Sequence, residues 1–362
     1  MSASAVLQPL PRVDPEAEGL SQQGLAIADA LLAAEVAEGR VSAASILVAR
    51  NGRVVLHAGH GAAPDAVYAL ASISKPVNAV ALMLLVERGL VALDAPAARY
   101  LPQLLGEERA RIRVRDLLTH TSGLPDMLPE NIELRRAHAP LSAFVQATCA
   151  TPLLYPPQTG FAYQSMGTLL AGEIVQRVSG QRLRDFHQRE IFDRLGMRSA
   201  SLGLGGRGVA ETMACQTGTG PDVERFGPNT AYWRDMGHPW GGMHASVSDL
   251  AILMQTFLDG GSYGGVRLLA SDTVAQMTRD QNPALGTPWG LGWGLATSPV
   301  WVYCGKRVSR RAFGHSGATG TVAWADPESR MLAIILTTRP TAEDDGRLLH
   351  TVSNAVADSV LA

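Results

Sequence analysis

The sequence predicts an α+β chain: an antiparallel sheet flanked by N- and C-terminal helices, with a large, mainly helical insertion between its early and late strands. Three observations carry this expectation. Ala44–Arg50 and Arg53–His57 flank Asn51-Gly52, a two-residue hairpin signal. Strand character returns only after Pro288, in Gly290–Leu295, Arg311–Phe313, Thr321–Ala325 and Met331–Thr337. Between them, apolar residues recur at helical spacing, interrupted by long Pro- and Gly-rich loops.

In chain order, Ser21–Glu38 carries Leu25, Ala28, Leu31, Leu32 and Val36 on one helical face and stops at Gly39. The hairpin follows. Tyr68-Ala69-Leu70 then leads to Ser72-Ile73-Ser74-Lys75 and the apolar run Val77–Val86, a helix closed by Gly89. Pro76 suits a first turn, where its missing N–H would have had no intrahelical partner. Further helical stretches are Val114–Leu118, Leu141–Cys149, Leu169–Val178, Leu183–Leu195 and Val247–Leu258. Asp326-Pro327-Glu328-Ser329 turns the chain between the last two strands, and a helix from about Glu343 to Val360 closes it. Residues 1–75 and 285–362 are therefore expected to form a discontinuous sheet domain and 76–284 a mainly helical domain, with the ligand site in the cleft between them.

At 362 residues, with 46% apolar and 18% charged residues, the chain has the composition of a globule with a sizeable core. A formal net charge of −2 leaves no electrostatic footprint for nucleic acid, and Arg113/Arg115 and Arg310/Arg311 read as solvated faces. Cys149, Cys215 and Cys304 are far apart and lack Cys-x-x-Cys spacing, which argues for free, mostly buried thiols rather than disulfides or zinc. His120, His238 and His244 lack ligand spacing and read as structural rather than metal-binding. Met1–Leu20 has no basic start followed by an apolar core, and no apolar stretch reaches the ~18 residues of a membrane span. The expectation is a cytoplasmic protein without membrane or nucleic-acid partners; the oligomeric state is not legible.

The chemistry starts from lysine usage. Of 31 basic residues only Lys75 and Lys306 are lysines. Arginine serves wherever a fixed charge is wanted, but it cannot release its proton at working pH, whereas a buried lysine can. Lys75 stands three residues after Ser72, on the same helical face, so it suggests a proton acceptor for that hydroxyl. Near a helix start, free N–H groups favour developing negative charge on the serine. Tyr163-Gln164-Ser165, after Pro156, Pro157 and Gly160, places a phenol on a loop before a helix, from which it could relay a proton. In Phe313-Gly314-His315-Ser316-Gly317-Ala318-Thr319-Gly320 the small residues let backbone approach a ligand closely, and an N–H there could complete an oxyanion hole. Alone, Tyr163 reads as structural and the glycine-rich segment as a tight strand turn. Gly260-Gly261-Ser262-Tyr263-Gly264 fits the nucleophile elbow Gly-x-Ser-x-Gly, but it follows a helix instead of a strand and is set aside.

The three pieces, in this order, resemble the motifs of the serine beta-lactamase-like superfamily, which includes class C beta-lactamases, D-Ala-D-Ala carboxypeptidases, D-aminopeptidases and family VIII carboxylesterases. Its Ser-x-x-Lys, Tyr-x-Asn (or Tyr-x-Ser) and Lys-Thr-Gly (or His-x-Gly) are matched by Ser72/Lys75, Tyr163/Ser165 and His315-Ser316-Gly317. Asp116–Pro125, Gly241-Gly242-Met243 with Ser248-Asp249-Leu250, and Trp289–Gly294 look similar as well. The resemblance implies Ser72 as nucleophile, Lys75 as its proton acceptor, Tyr163 as general acid/base, and the backbone N–H groups of Ser72 and Ala318 as the oxyanion hole. It implies substrate-binding or supporting places for Ser165, His315, Ser316 and Gly317, and no metal or organic cofactor. Trp240, with Trp289 and Trp293, is a candidate for an apolar pocket wall. Ser165 in place of Asn and His315 in place of Lys depart from an efficient beta-lactamase. The expected function is therefore a serine hydrolase forming an acyl-enzyme on Ser72, acting as a carboxylesterase on small or short-chain esters. The alternatives are an amidase, D-aminopeptidase or weak beta-lactamase with the same residues, an acyltransferase, or a non-catalytic binding protein on the same scaffold.

Overall fold

The computed structural model of the protein describes residues 7–361, so Met1–Val6 of the segment read for a leader lie outside the described residues. Helix α1 (Gln22–Ala37) starts at Ser21, whose hydroxyl accepts from the Gly24 N–H. The hairpin of β1 (Ala44–Arg50) and β2 (Arg53–His60) turns on Asn51 and Gly52, at φ 53° and 76°, the left-handed pair that a two-residue turn demands. A short strand β3 (Tyr68–Ala69) precedes helix α2 (Ser74–Glu87), which is buried over most of its length. The insertion contributes helix α3 (Ser165–Ser179), short strands β4 (Ser201–Leu202) and β5 (Met243–Ala245), and helix α4 (Val247–Leu258). The chain then returns to the sheet through β6 (Gly294–Leu295), β7 (Phe313–Gly317), β8 (Thr321–Asp326) and β9 (Met331–Thr337), and ends in helix α5 (Arg347–Asp358).

The main sheet is antiparallel, in the order β2-β1-β9-β8-β7-β6, so the first hairpin pairs with the last strand. Both faces are covered, and the residues alternate accordingly. Ile46, Val48, Val322, Trp324, Ala333 and Ile335 point into a core shared with Leu25, Ala28 and Leu32 of α1 and Leu349, Val352 and Val356 of α5. Leu47, Ala49, Ala323, Ala325, Leu332, Ile334 and Leu336 point the other way, into a larger core with α2, α3 and α4. A second small sheet, β3-β5-β4, ties the segment before α2 to the insertion.

Two strand expectations shift. Only Gly294–Leu295 of Gly290–Leu295 pairs in the sheet, because the preceding backbone is bonded elsewhere: Leu291 N donates to Met277 O, Gly292 N to Leu118 O and Gly290 N to Trp293 O. The strand expected at Arg311–Phe313 begins at Phe313 and runs on through His315 to Gly317. The last helix starts at Arg347, not near Glu343, since Gly346 sits at φ 69° and Asp344 caps the Leu348 N–H at 3.1 Å. All three cysteines are free and buried. Among the described residues no helix is long and apolar enough to cross a membrane.

Candidate active site

Ser72 does not lie inside α2 but in a single 3₁₀ turn, Ala71–Ile73, that leads into it. Ala71 has φ 47°, a left-handed conformation rare outside glycine. Surrounding bonds fix this turn. Leu70 N donates to Met243 O at 2.9 Å, Ser74 Oγ to Ala71 O at 2.7 Å, and Met243 N to Ser74 Oγ at 3.0 Å. From the other side, Thr319 Oγ1 donates to Ala69 O at 2.7 Å and Thr321 Oγ1 to Leu70 O at 3.0 Å. The first backbone bond of the turn runs from Ile73 N to Leu70 O, so the Ser72 N–H precedes the helical ladder.

Strand β7 passes so close that a Cβ on Gly317 would lie 2.2 Å from Leu70 O and 3.2 Å from the Ala71 Cβ. Glycine there is a packing requirement, and it brings Ala318 to the cavity beside Ser72. Gly241 and Gly242 have the same origin: a Cβ on either would meet the His238 ring within about 3.0 Å. Their backbone leaves the Trp240 carbonyl within reach of Lys75.

Lys75 Nζ lies 2.7 Å from Ser72 Oγ and 3.1 Å from Trp240 O, and it stands 4.7 Å from the centroid of the Tyr163 ring. Complete burial brings its pKa down to about 7, against an opposing pull from the Asp126 carboxylate. The Tyr163 phenol is pushed up from its ordinary value by burial, partly offset by interaction with the Ser72 hydroxyl. An amine that loses its proton near neutrality and a phenol that keeps its own thus face one hydroxyl.

Tyr163 and Ser165 reach the cavity because Gln164 between them turns back into the protein. Its Nε2 donates to Asp116 O at 2.9 Å, its Oε1 accepts from Ser122 Oγ at 2.5 Å, and its backbone N–H donates to His120 Nδ1 at 3.1 Å. The segment Asp116–Pro125 is therefore the seat of the Tyr163 loop. His120 and Trp289 pack around the Tyr163 ring, at centroid distances of 4.6 Å and 6.1 Å, and Phe161 packs in turn against both of them. Ser165 Oγ donates to Asp126 Oδ1 at 2.6 Å.

His315 lies buried behind Tyr163, ring centroids 6.1 Å apart, with Nδ1 bonded to Ser316 O at 2.7 Å. Burial takes its pKa down to about 3, so it is a neutral imidazole and supplies no positive charge. The cavity, of about 420 Å³, is lined by Ser72, Tyr163, Ser165, Ala318 and Thr319 on the reacting side, and by Trp233, Trp240, Met127, Pro228 and Pro340 elsewhere. Among the wall tryptophans considered from sequence, Trp240 lines it, while Trp289 and Trp293 are each 1% exposed in the cores. Asp126 and Trp233 are cavity residues that the sequence did not single out. The only signal for Asp126 was its place directly after Asp116–Pro125. Ser262 of the elbow-like segment sits in a separate two-strand hairpin with Val266–Arg267.

The model of the beta-lactamase family matches residues 28–357. A protein of Salmonella gallinarum named "Putative D-alanyl-D-alanine carboxypeptidase" is 27% identical over 94% of this chain and 88% of its own. EstCE1, described as a hydrolase with promiscuous acyltransferase activity, superposes with a TM-score of 0.75 at 21% identity, covering 92% of this chain and 99% of its own. A family VIII carboxylesterase superposes at 0.74 with 20% identity, covering 94% and 99%. With the match spanning nearly the whole sequence and the fold shared end to end, the chain belongs to the beta-lactamase family.

Proposed function

We propose that this protein is a carboxylesterase that forms an acyl-enzyme on Ser72 and hydrolyses small esters. The observation that carries the reading is Lys75 Nζ at 2.7 Å from Ser72 Oγ, with a pKa brought down to about 7. The neutral amine takes the hydroxyl proton as Ser72 attacks the ester carbonyl. The N–H groups of Ser72 and Ala318 hold the resulting oxyanion. Tyr163 delivers a proton to the leaving alkoxide, and water then attacks the acyl-enzyme by the same route in reverse.

Two features favour esters over amides and beta-lactams. Ser165 already donates its hydroxyl to Asp126, so it offers no donor to a substrate amide carbonyl. The neutral, buried His315 provides no cation for a substrate carboxylate. Amide hydrolysis is the second reading, favoured by a Tyr163 phenol that stays protonated for an amine leaving group. Turnover of p-nitrophenyl acetate and butyrate by the wild type and Ser72→Ala tests the proposal. Activity should fall by at least a thousandfold, and a fluorophosphonate should add once, on Ser72. Equal rates in the two proteins, or an adduct on Ser262, would refute it.

A further inference from the structure

We propose that the cavity selects substrates bearing a cationic nitrogen, quaternary or protonated amine, a few bonds from the scissile carbonyl, and that Asp126 is the residue that selects them. This rests on the hydrolase reading above and names its substrate class.

Among the described residues that line the cavity, the acidic and strongly basic side chains are Asp126 and Arg234, while His238 and His244 are kept neutral by burial. Arg234 is 2% exposed, and uncharged acceptors take up its guanidinium: Pro228 O at 2.9 Å, Met213 O at 2.8 Å, Asn229 Oδ1 at 2.7 Å and the Thr212 hydroxyl. Asp126 is the opposite case. It is exposed to the cavity, and none of the ion pairs among the described residues involves it. Ser165 Oγ holds Oδ1 at 2.6 Å, which orients the carboxylate and leaves Oδ2 for a ligand.

Asp126 is close enough to the reacting groups for its charge to oppose deprotonation of both Lys75 and Tyr163. The indoles of Trp233 and Trp240, 6.4 Å apart and inclined at 66°, line the same cavity, but the Arg135 guanidinium already lies 3.9 Å from the Trp233 ring centroid and His238 packs against both rings, so the selection rests on the Asp126 carboxylate. A carboxylate near Ser72 meets the reverse: a like charge at Asp126, a neutral His315 and a Lys75 that is largely uncharged above pH 7, while the Arg234 cation is 2% exposed and turned to its own acceptors.

Three p-nitrophenyl esters of similar size separate the cases: the cationic 4-(trimethylammonio)butyrate, its neutral isostere 5,5-dimethylhexanoate, and the anionic hydrogen adipate. The wild type should favour the cationic ester over the isostere by about tenfold in kcat/KM, with the anionic ester slowest. In Asp126→Asn the preference should shrink to twofold or less, through KM. The rising limb of the pH profile should also move to lower pH, because the charge that holds a proton on Lys75 is gone. A neutral or anionic ester preferred by the wild type, or a tenfold preference that survives Asp126→Asn, would overturn the proposal.

Binding of the corresponding amides to Ser72→Ala, measured by calorimetry, decides the question without turnover. If the trimethylammonio amide binds several-fold tighter than its isostere while the wild type hydrolyses nothing, the hydrolase reading falls and cation selection stands. Equal binding of the two amides refutes cation selection whatever the rates.

Discussion

At the scale of single residues, the proposed reaction turns on an amine that must be uncharged to act. Activity should rise with pH through the region near 7, where Lys75 loses its proton, and stay level into the alkaline range because Tyr163 remains protonated there. A pH profile of kcat/KM on a neutral ester checks this. Lys75→Arg should be almost as damaging as Lys75→Met, a loss of roughly 10²–10⁴-fold, since arginine keeps the charge and cannot accept the proton. Lys75 is also a burden on the fold. Below pH 7 it is charged in both folded and unfolded chains, and the full penalty of burying that charge stands. As pH rises from about 7 toward the ordinary lysine range, the folded chain is the first to release the proton, and the penalty fades. Lys75→Met should therefore stabilise the protein by an amount on the order of 4 kcal/mol in acid, shrinking toward pH 10, as read from urea unfolding at pH 6 and pH 9. Sequence pointed to this residue through lysine scarcity, its spacing from Ser72 and the order of the three motifs. It gave no comparable lead to Asp126, because a carboxylate on a loop is ordinary until its hydrogen-bond partner is known.

At the scale of elements, the strands and turns that hold the site are built on close backbone approaches. Gly317→Ala would press a methyl group against Leu70 O and Ala71, pushing β7 off the Ser72 turn. A displacement of about 1 Å is enough to cost roughly 100-fold in rate, so activity should fall far more than thermal stability. Melting curves and kcat measured on the same variant test that imbalance. The hairpin at Asn51-Gly52, the helix at Val247–Leu258 and the strand at Met331–Thr337 were all legible, because turn chemistry and apolar periodicity are local signals. The Trp289–Gly294 segment was not. Its apolar residues suit a strand, but its N–H groups bond to Met277 and Leu118, partners remote in sequence. The 3₁₀ turn under Ser72 is hidden for a related reason: the left-handed Ala71 is imposed by β5 and by the β7–β8 turn, not by alanine.

At the scale of the whole molecule, the order of early hairpin, helical insertion, late strands and terminal helix was enough to place the sheet. The alternation of apolar residues then gave it two covered faces. Sequence could not foresee how many histidines the interior holds. His120, His187, His238, His244 and His315 are all kept below their ordinary values, by burial first. Above about pH 6.5 they are neutral in both states and stability is unaffected. As pH falls toward their folded values near 3 to 4, the unfolded chain takes up protons that the folded chain refuses, and stability is lost. With five such groups the slope can approach ~7 kcal/mol per pH unit, so urea midpoints at pH 5 should lie far below those at pH 7.5. One further property follows from the way α1 and α5 pack. Ser21 N donates to Ser359 O at 2.7 Å, and Leu361 N to Gly19 O at 3.0 Å, so residues 19–21 and 359–361 run side by side. These two bonds tie the end of α5 to the start of α1, so the last residues of the chain hold both helices on one face of the sheet. Removing residues 360–362 should therefore lower the melting temperature while leaving the pH profile of hydrolysis, set on the far side of the sheet, unchanged.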